Sequence, residues 1–153
     1  MIKKAIFPGS FDPITIGHIE IIEKSLSIFD EVIIAIGTNP DKKYMFSKNQ
    51  RLNFIVNYFD KKEKVKVVTY DELTYKLCKR LDVKYIARGI RNILDFEYEK
   101  NMAEFNRNMG NIETIIITCS NKYSHISSSL VRDLIKNKSD FEHLVPNSVK
   151  LNL

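Results

Sequence analysis

The chain has 153 residues, 44% hydrophobic and 28% charged, with a formal net charge of +5. That gives room for one domain with a real core and argues against a disordered or fibrous chain. No apolar run approaches the ~20 residues of a membrane span, and the run after Met1-Ile2-Lys3-Lys4 is too short for an export signal and breaks at Pro8-Gly9.

In chain order, residues 5–7 read as a first strand. FPGSFDPITIGH (residues 7–18) then puts small residues, a turn and a histidine where that strand hands over to a helix. The helix carries Ile19, Ile22, Leu26 and Phe29 at helical spacing. A helix N-terminus offers unpaired N–H groups and partial positive charge, which suits a phosphate. Gly17 there allows a ligand close to the backbone, and His18 presents a donor in the first turn; the plainer alternative is a solvated histidine in a strand–turn–helix.

Glu31–Gly37 (EVIIAIG) is a buried-strand pattern, and residues 38–46 form a polar loop. Ser47 with Gln50 three residues later reads as a capping box, opening a helix with Leu52, Ile55, Val56 and Phe59 on one face. Lys61, Lys62, Lys64 and Lys66 read as a solvated turn. Val65–Tyr70 (VKVVTY) is a third strand, and a helix with Leu73, Leu77 and Leu81 begins at Asp71 or Glu72. Residues 83–87 form a fourth strand ending at Arg88-Gly89, followed by a long helix over 94–109. Residues 114–118 form a fifth strand, a helix starts near Ser128, and a short final helix follows. Cys78 and Cys119 form no metal or redox pair and are expected as buried free thiols in apolar surroundings, which points to the cytoplasm.

This alternation predicts an α/β chain: one Rossmann-like domain over 1–153, a five-stranded parallel sheet with helices on both faces. Such sheets bind ligands outside the carboxyl ends of their strands. The unusual residues gather there: residues 8–11, Lys42, Thr74, Arg88, Gly89, Arg91 and residues 123–129. In Arg88-Gly89-Ile90-Arg91, two guanidiniums three residues apart suit phosphate oxygens, the alternative being surface arginines in a turn. In Ile126-Ser127-Ser128-Ser129, followed by Arg132, hydroxyls and free N–H groups at a helix start suit a triphosphate. Simple N-capping explains one of those serines well and three poorly.

Taken together, Thr15-x-Gly17-His18 and Ile126-Ser-Ser-Ser-x-x-Arg132 resemble the nucleotidylyltransferase superfamily. With NPDKKYMF (residues 39–46), RGIRNILDFEYE (residues 88–99) and YSHISSSLVRD (residues 123–133), nearly the whole chain resembles the bacterial phosphopantetheine adenylyltransferase family. The resemblance implies transfer of the adenylyl group of ATP to 4′-phosphopantetheine, giving dephospho-CoA and pyrophosphate, by in-line attack without a covalent enzyme intermediate. It assigns catalytic roles to His18, Lys42 and Arg91. It assigns ATP binding to Ser10, Phe11, His18, Gly89, Ile90, Arg91, Glu99 and to Tyr123, Ser124, His125, Ile126, Ser127, Ser128 and Ser129. It assigns binding of the second substrate to Ser10, Lys42, Thr74 and Arg88.

The same resemblance implies Mg²⁺ held mainly through ATP phosphates, with no dedicated protein metal site, a homohexamer, and coenzyme A as a feedback ligand. Three residues depart from the family's common pattern: Ser10 where threonine is frequent, Tyr123 where tryptophan is frequent, and His125 where an aromatic or apolar residue is frequent. Three other readings compete. A sister nucleotidylyltransferase would use another phosphorylated acceptor. A nucleotide sensor would bind without turnover. A nucleic-acid-binding module would need basic residues interleaved with aromatics on one surface; no such stripe is present, so neither nucleic acid nor membrane is an expected partner.

Overall fold

Side chains entering opposite faces in alternation along the strands set the layering. The computed structural model describes residues 2–150; Met1 and residues 151–153, which the expected 1–153 domain includes, lie outside the described residues. In strand β1 (Lys4–Gly9), Ala5 and Phe7 enter one apolar cluster and Ile6 enters a second. Strand β2 (Glu31–Gly37) repeats this, with Val32, Ile34 and Ile36 on one side and Ile33 and Ala35 on the other. A strand buried on both faces must be apolar throughout, which is why EVIIAIG reads as a continuous run.

Strands β3 (Val65–Tyr70), β4 (Tyr85–Ile90) and β5 (Glu113–Thr118) complete an all-parallel sheet in the order β3-β2-β1-β4-β5. This is a Rossmann-like α/β sheet, and its order reverses between β1 and β4, where such sheets open a ligand crevice. Helices α1 (Ile16–Leu26) and α2 (Lys48–Phe59) supply Ile19, Ile22, Phe54 and Ile55 to the larger cluster. Helix α3 (Thr74–Arg80) covers the opposite face with Tyr75, Leu77 and Cys78, and α4 (Ile93–Gly110) packs on it, Phe105 lying edge-on to Tyr75. Helix α5 (Ser128–Lys136), a 3-10 turn (Glu142–Leu144) and the short α6 (Asn147–Lys150) close the first face with Val131, Leu144 and Val149. Each fully buried Ile or Phe contributes about 1.5–3 kcal/mol.

The capping box at Ser47 forms as expected: Gln50 N–H donates to Ser47 Oγ, and Ser47 N–H to Gln50 Oε1. Several boundaries differ from the sequence reading. Helix α1 ends at Leu26, so Phe29 belongs to the turn before β2, where its ring packs on Tyr85. Val56 is exposed, and the buried face of α2 runs through Arg51, Phe54, Ile55 and Phe59. Helix α3 starts at Thr74 with Leu73 as an exposed N-cap, and Leu81 lies past its end. Strand β4 continues through Arg88, Gly89 and Ile90, because all three stay in register with β5 at Ile116, Ile117 and Thr118. Cys78 is buried, but Cys119 is only half-buried: it packs against the larger apolar cluster as expected, while its thiol also donates to the Glu20 carboxylate.

Candidate active site

The turn after β1 is shaped by one strained residue. Phe11 has φ 49°, in the left-handed region, and its side chain is buried. Its ring lies over Gly9, where an added Cβ would stand 3.0 Å from a ring carbon, so any larger residue there would have to push the Phe11 ring aside. Thr15 caps α1, its Oγ1 accepting from His18 N–H, while Thr15 N–H donates to His18 Nδ1 at 3.0 Å. Because Nδ1 accepts that bond, the neutral ring carries its proton on Nε2. Phe11 packs edge-on against the imidazole, at 5.1 Å between ring centroids. Desolvation, with the nearby Arg88 and Arg91 guanidiniums, pushes the His18 pKa down to about 4. At neutral pH His18 is therefore an uncharged N–H donor.

Arg88 projects from β4, where one guanidinium nitrogen donates to the Pro8 carbonyl. Another donates to Glu99 Oε1 at 2.6 Å, and Glu99, on α4, is only 5% exposed. The pair ties β4 to α4 and fixes the arginine's plane. Arg91 is braced by Asp95 at 3.0 Å and reaches the Ile126 carbonyl at 3.3 Å, linking the start of α4 to the loop before α5. Burial alone would raise the Asp95 carboxyl, but the Arg91 hydrogen bonds hold it below its usual range. Gly89 lets β4 approach α1 closely; an added Cβ would stand 2.7 Å from Ile21 Cγ1.

The three serines each have a job within the protein. Ser127 caps α5 by accepting from Leu130 N–H, Ser128 donates to the Pro13 carbonyl at 2.7 Å, and Ser129 accepts from Arg132. Arg132 also donates to the Asp12 carbonyl at 2.8 Å. The buried Asp12 carboxylate accepts from the N–H groups of Met45 and Phe46, so the turn after β1 holds both α5 and the loop after β2. Capping alone does not account for the serine run; joining α5 to the β1–α1 turn does.

Two clefts open at the carboxyl ends of the strands. The first, about 360 Å³, is lined by Ser10, Phe11, His18, Gly89, Arg91 and the 126–129 segment, with Lys42, Arg88, Glu99 and Tyr123. The second, about 400 Å³, is lined by Ser10, Lys42, Thr74, Arg88 and Glu99, with Tyr44, Tyr70, Asn106 and Thr114. They meet at Ser10, Lys42, Arg88 and Glu99, and there Lys42 Nζ donates to Ser10 Oγ at 3.0 Å. Ile90, Ser124 and His125 fall outside the lining of both clefts: the Ser124 hydroxyl turns back to the Asn121 carbonyl, and His125 is exposed. Among the described residues no three His, Cys, Asp or Glu side chains group as a metal site. No helix among them is long and apolar enough to cross a membrane.

Sequence reasoning missed most of the second cleft. Glu99, Met102, Ala103 and Asn106 all line it, at helical spacing on one face of α4. Asn106, seven residues after Glu99 and so on the same face of the helix, was the available signal. Tyr70, whose hydroxyl pairs with Thr74 at 3.1 Å and whose pKa burial raises, carried no local signal beyond ending a strand.

The model of the cytidylyltransferase-like family matches residues 6–134. The chain is 51% identical over 149 residues to the phosphopantetheine adenylyltransferase of Flavobacterium psychrophilum, covering 97% of this chain and 99% of that protein. It is 48% identical to that of Flavobacterium johnsoniae, over 97% and 98% of the two chains. It is 40% identical to that of Oenococcus oeni, over 95% and 93%.

Proposed function

Because the chain belongs to the cytidylyltransferase-like family, in its phosphopantetheine adenylyltransferase branch, we propose that it transfers the adenylyl group of ATP to 4′-phosphopantetheine, yielding dephospho-CoA and pyrophosphate. The observation that carries this reading to the residues is the meeting of two clefts at Ser10, Lys42 and Arg88, beside the neutral ring of His18. ATP occupies the first cleft, against Phe11, Gly89, Arg91 and the serines of α5. The pantetheine arm occupies the second, past Thr74, with its phosphate held by Lys42 and Arg88 at the junction.

An oxygen of that phosphate attacks the α-phosphorus of ATP in line. The new P–O bond forms as the bond to the β-phosphate breaks, and pyrophosphate leaves. A phosphate monoester is already nucleophilic at neutral pH, so the protein's work is positioning and charge stabilisation. The His18 Nε2–H donates to an α-phosphate oxygen as charge develops there. Being neutral, the ring can share the cleft with Arg88 and Arg91 without adding a third positive charge. First-turn N–H groups of α5 and the Arg91 guanidinium favour the departing pyrophosphate.

The carboxylates near the junction are committed, Glu99 to Arg88, Asp95 to Arg91 and Asp12 to two backbone amides. That donor set fits Mg²⁺ carried on the triphosphate with water rather than held in a protein cage. When bound, the ion partly neutralises phosphate charge. Coenzyme A, which combines a pantetheine arm with an adenylate, is the expected feedback ligand spanning both clefts. The protein is assigned to the cytoplasm and to a homohexamer on the same reading.

The test is pyrophosphate release from ATP and Mg²⁺, with and without 4′-phosphopantetheine, with the nucleotide product identified by mass. Acceptor-dependent release with dephospho-CoA formed supports the reading. ATP binding without such release moves it to a sister enzyme with another phosphorylated acceptor.

A further inference from the structure

Among the described residues the largest fully buried side chain is an arginine. Arg51, in the first turns of α2, is 1% exposed. Its Nη1 donates to two carbonyls at once, Ser10 at 2.6 Å and Gly37 at 2.9 Å. The Ser10 carbonyl begins the turn after β1 and the Gly37 carbonyl ends β2, so one nitrogen ties together two neighbouring strand ends. The guanidinium also stacks on the Tyr44 ring, 3.9 Å from its centroid. On that same ring stands Lys42, whose ammonium lies 5.6 Å from the centroid and donates to Ser10 Oγ. Asn39 N–H donates to the Tyr44 hydroxyl, which fixes the ring within its loop.

Burying a guanidinium is costly, and the cost here is only partly offset. Nε is buried with no hydrogen-bond partner, and no carboxylate hydrogen-bonds the group; Asp12 acts only through its field. An apolar side chain of similar volume would fill the space without that cost. What it could not do is hold the Ser10 backbone and present a flat face beneath Tyr44 at once. A lysine could offer the charge but not the plane.

We infer that Arg51 is a positioning residue for the acceptor's phosphate, holding the Ser10 turn and, through the Tyr44 ring, the Lys42 ammonium at the junction of the two clefts. It lies behind the cleft lining and touches no substrate. The inference rests on the functional reading above and adds a residue to its acceptor site.

The experiment compares the unaltered protein with Arg51→Met, Arg51→Lys and Tyr44→Leu in steady-state kinetics for both substrates, with a melting curve for each. In Arg51→Met the acceptor KM is expected to rise about tenfold or more, and the ATP KM by much less, since small displacements of a positioning group carry such losses. Arg51→Lys is expected to fall between, keeping a donor for the Ser10 carbonyl and losing the stack. Unchanged KM values, or a loss that only follows the folded fraction, overturn the inference. If Arg51→Met does not fold, Arg51→Lys, which keeps a donor for the carbonyls and loses the stack on Tyr44, decides: a raised acceptor KM with an unchanged ATP KM supports it, and an unchanged acceptor KM overturns it. If the unaltered protein makes no dephospho-CoA, the functional reading fails separately. Inorganic phosphate binding, followed by phosphorus NMR line broadening, then decides on Arg51: weaker binding in the variants supports the positioning role, and equal binding overturns it.

Discussion

His18 is a donor because of where its proton is held, and this has two measurable consequences. The Thr15 N–H fixes Nδ1 as acceptor, and the cleft keeps the ring neutral down to about pH 4. His18→Ala should lower kcat by about 10²–10³-fold, the usual loss for one transition-state donor, with smaller changes in KM. The second consequence is for stability. Unfolded, the ring titrates at 6.5, and folded at about 4. Between these values the unfolded chain binds the extra proton, so the group's effect is absent above pH 6.5 and destabilising as pH falls toward 4. His18→Gln should remove that loss, so that the variant gains about 2 kcal/mol on the unaltered protein between pH 7.5 and 5. Urea unfolding at the two pH values checks it; a constant difference would count against the neutral ring. Glu99 sets a parallel case. Glu99→Ala leaves the Arg88 guanidinium without its carboxylate and should destabilise by about 2–4 kcal/mol, below the full loss for a buried pair because Arg88 is partly solvated. Glu99→Gln, which keeps an acceptor oxygen, should cost less in the same thermal unfolding assay.

Elements meet at this site through backbone groups, which divides what the sequence reveals from what it hides. The Ser47–Gln50 box was legible because its partners lie three residues apart, and β2 was legible because double-sided burial writes itself as an unbroken apolar run. The gathering of Ser10, Lys42, Arg88 and the α5 serines at strand ends followed from alternation alone. The end of β4 was misread because Arg88 and Gly89 look like turn residues; the glycine is instead required by Ile21 on α1, and the arginine by Glu99 on α4. Such demands come from distant segments and leave no local period. Arg51 was overlooked for the same reason: its partners, Ser10, Gly37 and Tyr44, have no regular spacing from it. Asp12 shows what one such tie is worth. Asp12→Ala would leave the Met45 and Phe46 N–H groups without their acceptor, a loss of about 1–3 kcal/mol. Hydrogen exchange should speed up at those two amides while the centre of β2 stays protected; unchanged exchange there would mean the loop is held by other contacts.

At the scale of the whole molecule, α4 has one face too many. It packs on α3 through Phe105 and lines the second cleft, yet Leu94 is 76% exposed and Tyr98 61%, with Met109 also exposed. At 100° per residue these three fall within one narrow stripe along the helix. On the homohexamer reading proposed above, this stripe is the surface that a protein contact would cover. Copies of the same chain are the occupants the proposed homohexamer requires. Leu94→Glu with Met109→Glu places charge in the stripe without touching either cleft. Sedimentation equilibrium should then find the unaltered protein near six times 17.8 kDa and the double variant at a lower mass. Unaltered protein at the single-chain mass would end the hexamer proposal. Assembly and catalysis should also be linked, because Tyr98, Met102 and Asn106 on the same helix line the second cleft and not the first. A dissociated variant should therefore lose affinity for the acceptor more than for ATP. Equal losses for both substrates would mean that the interface supports the fold as a whole and not the acceptor cleft.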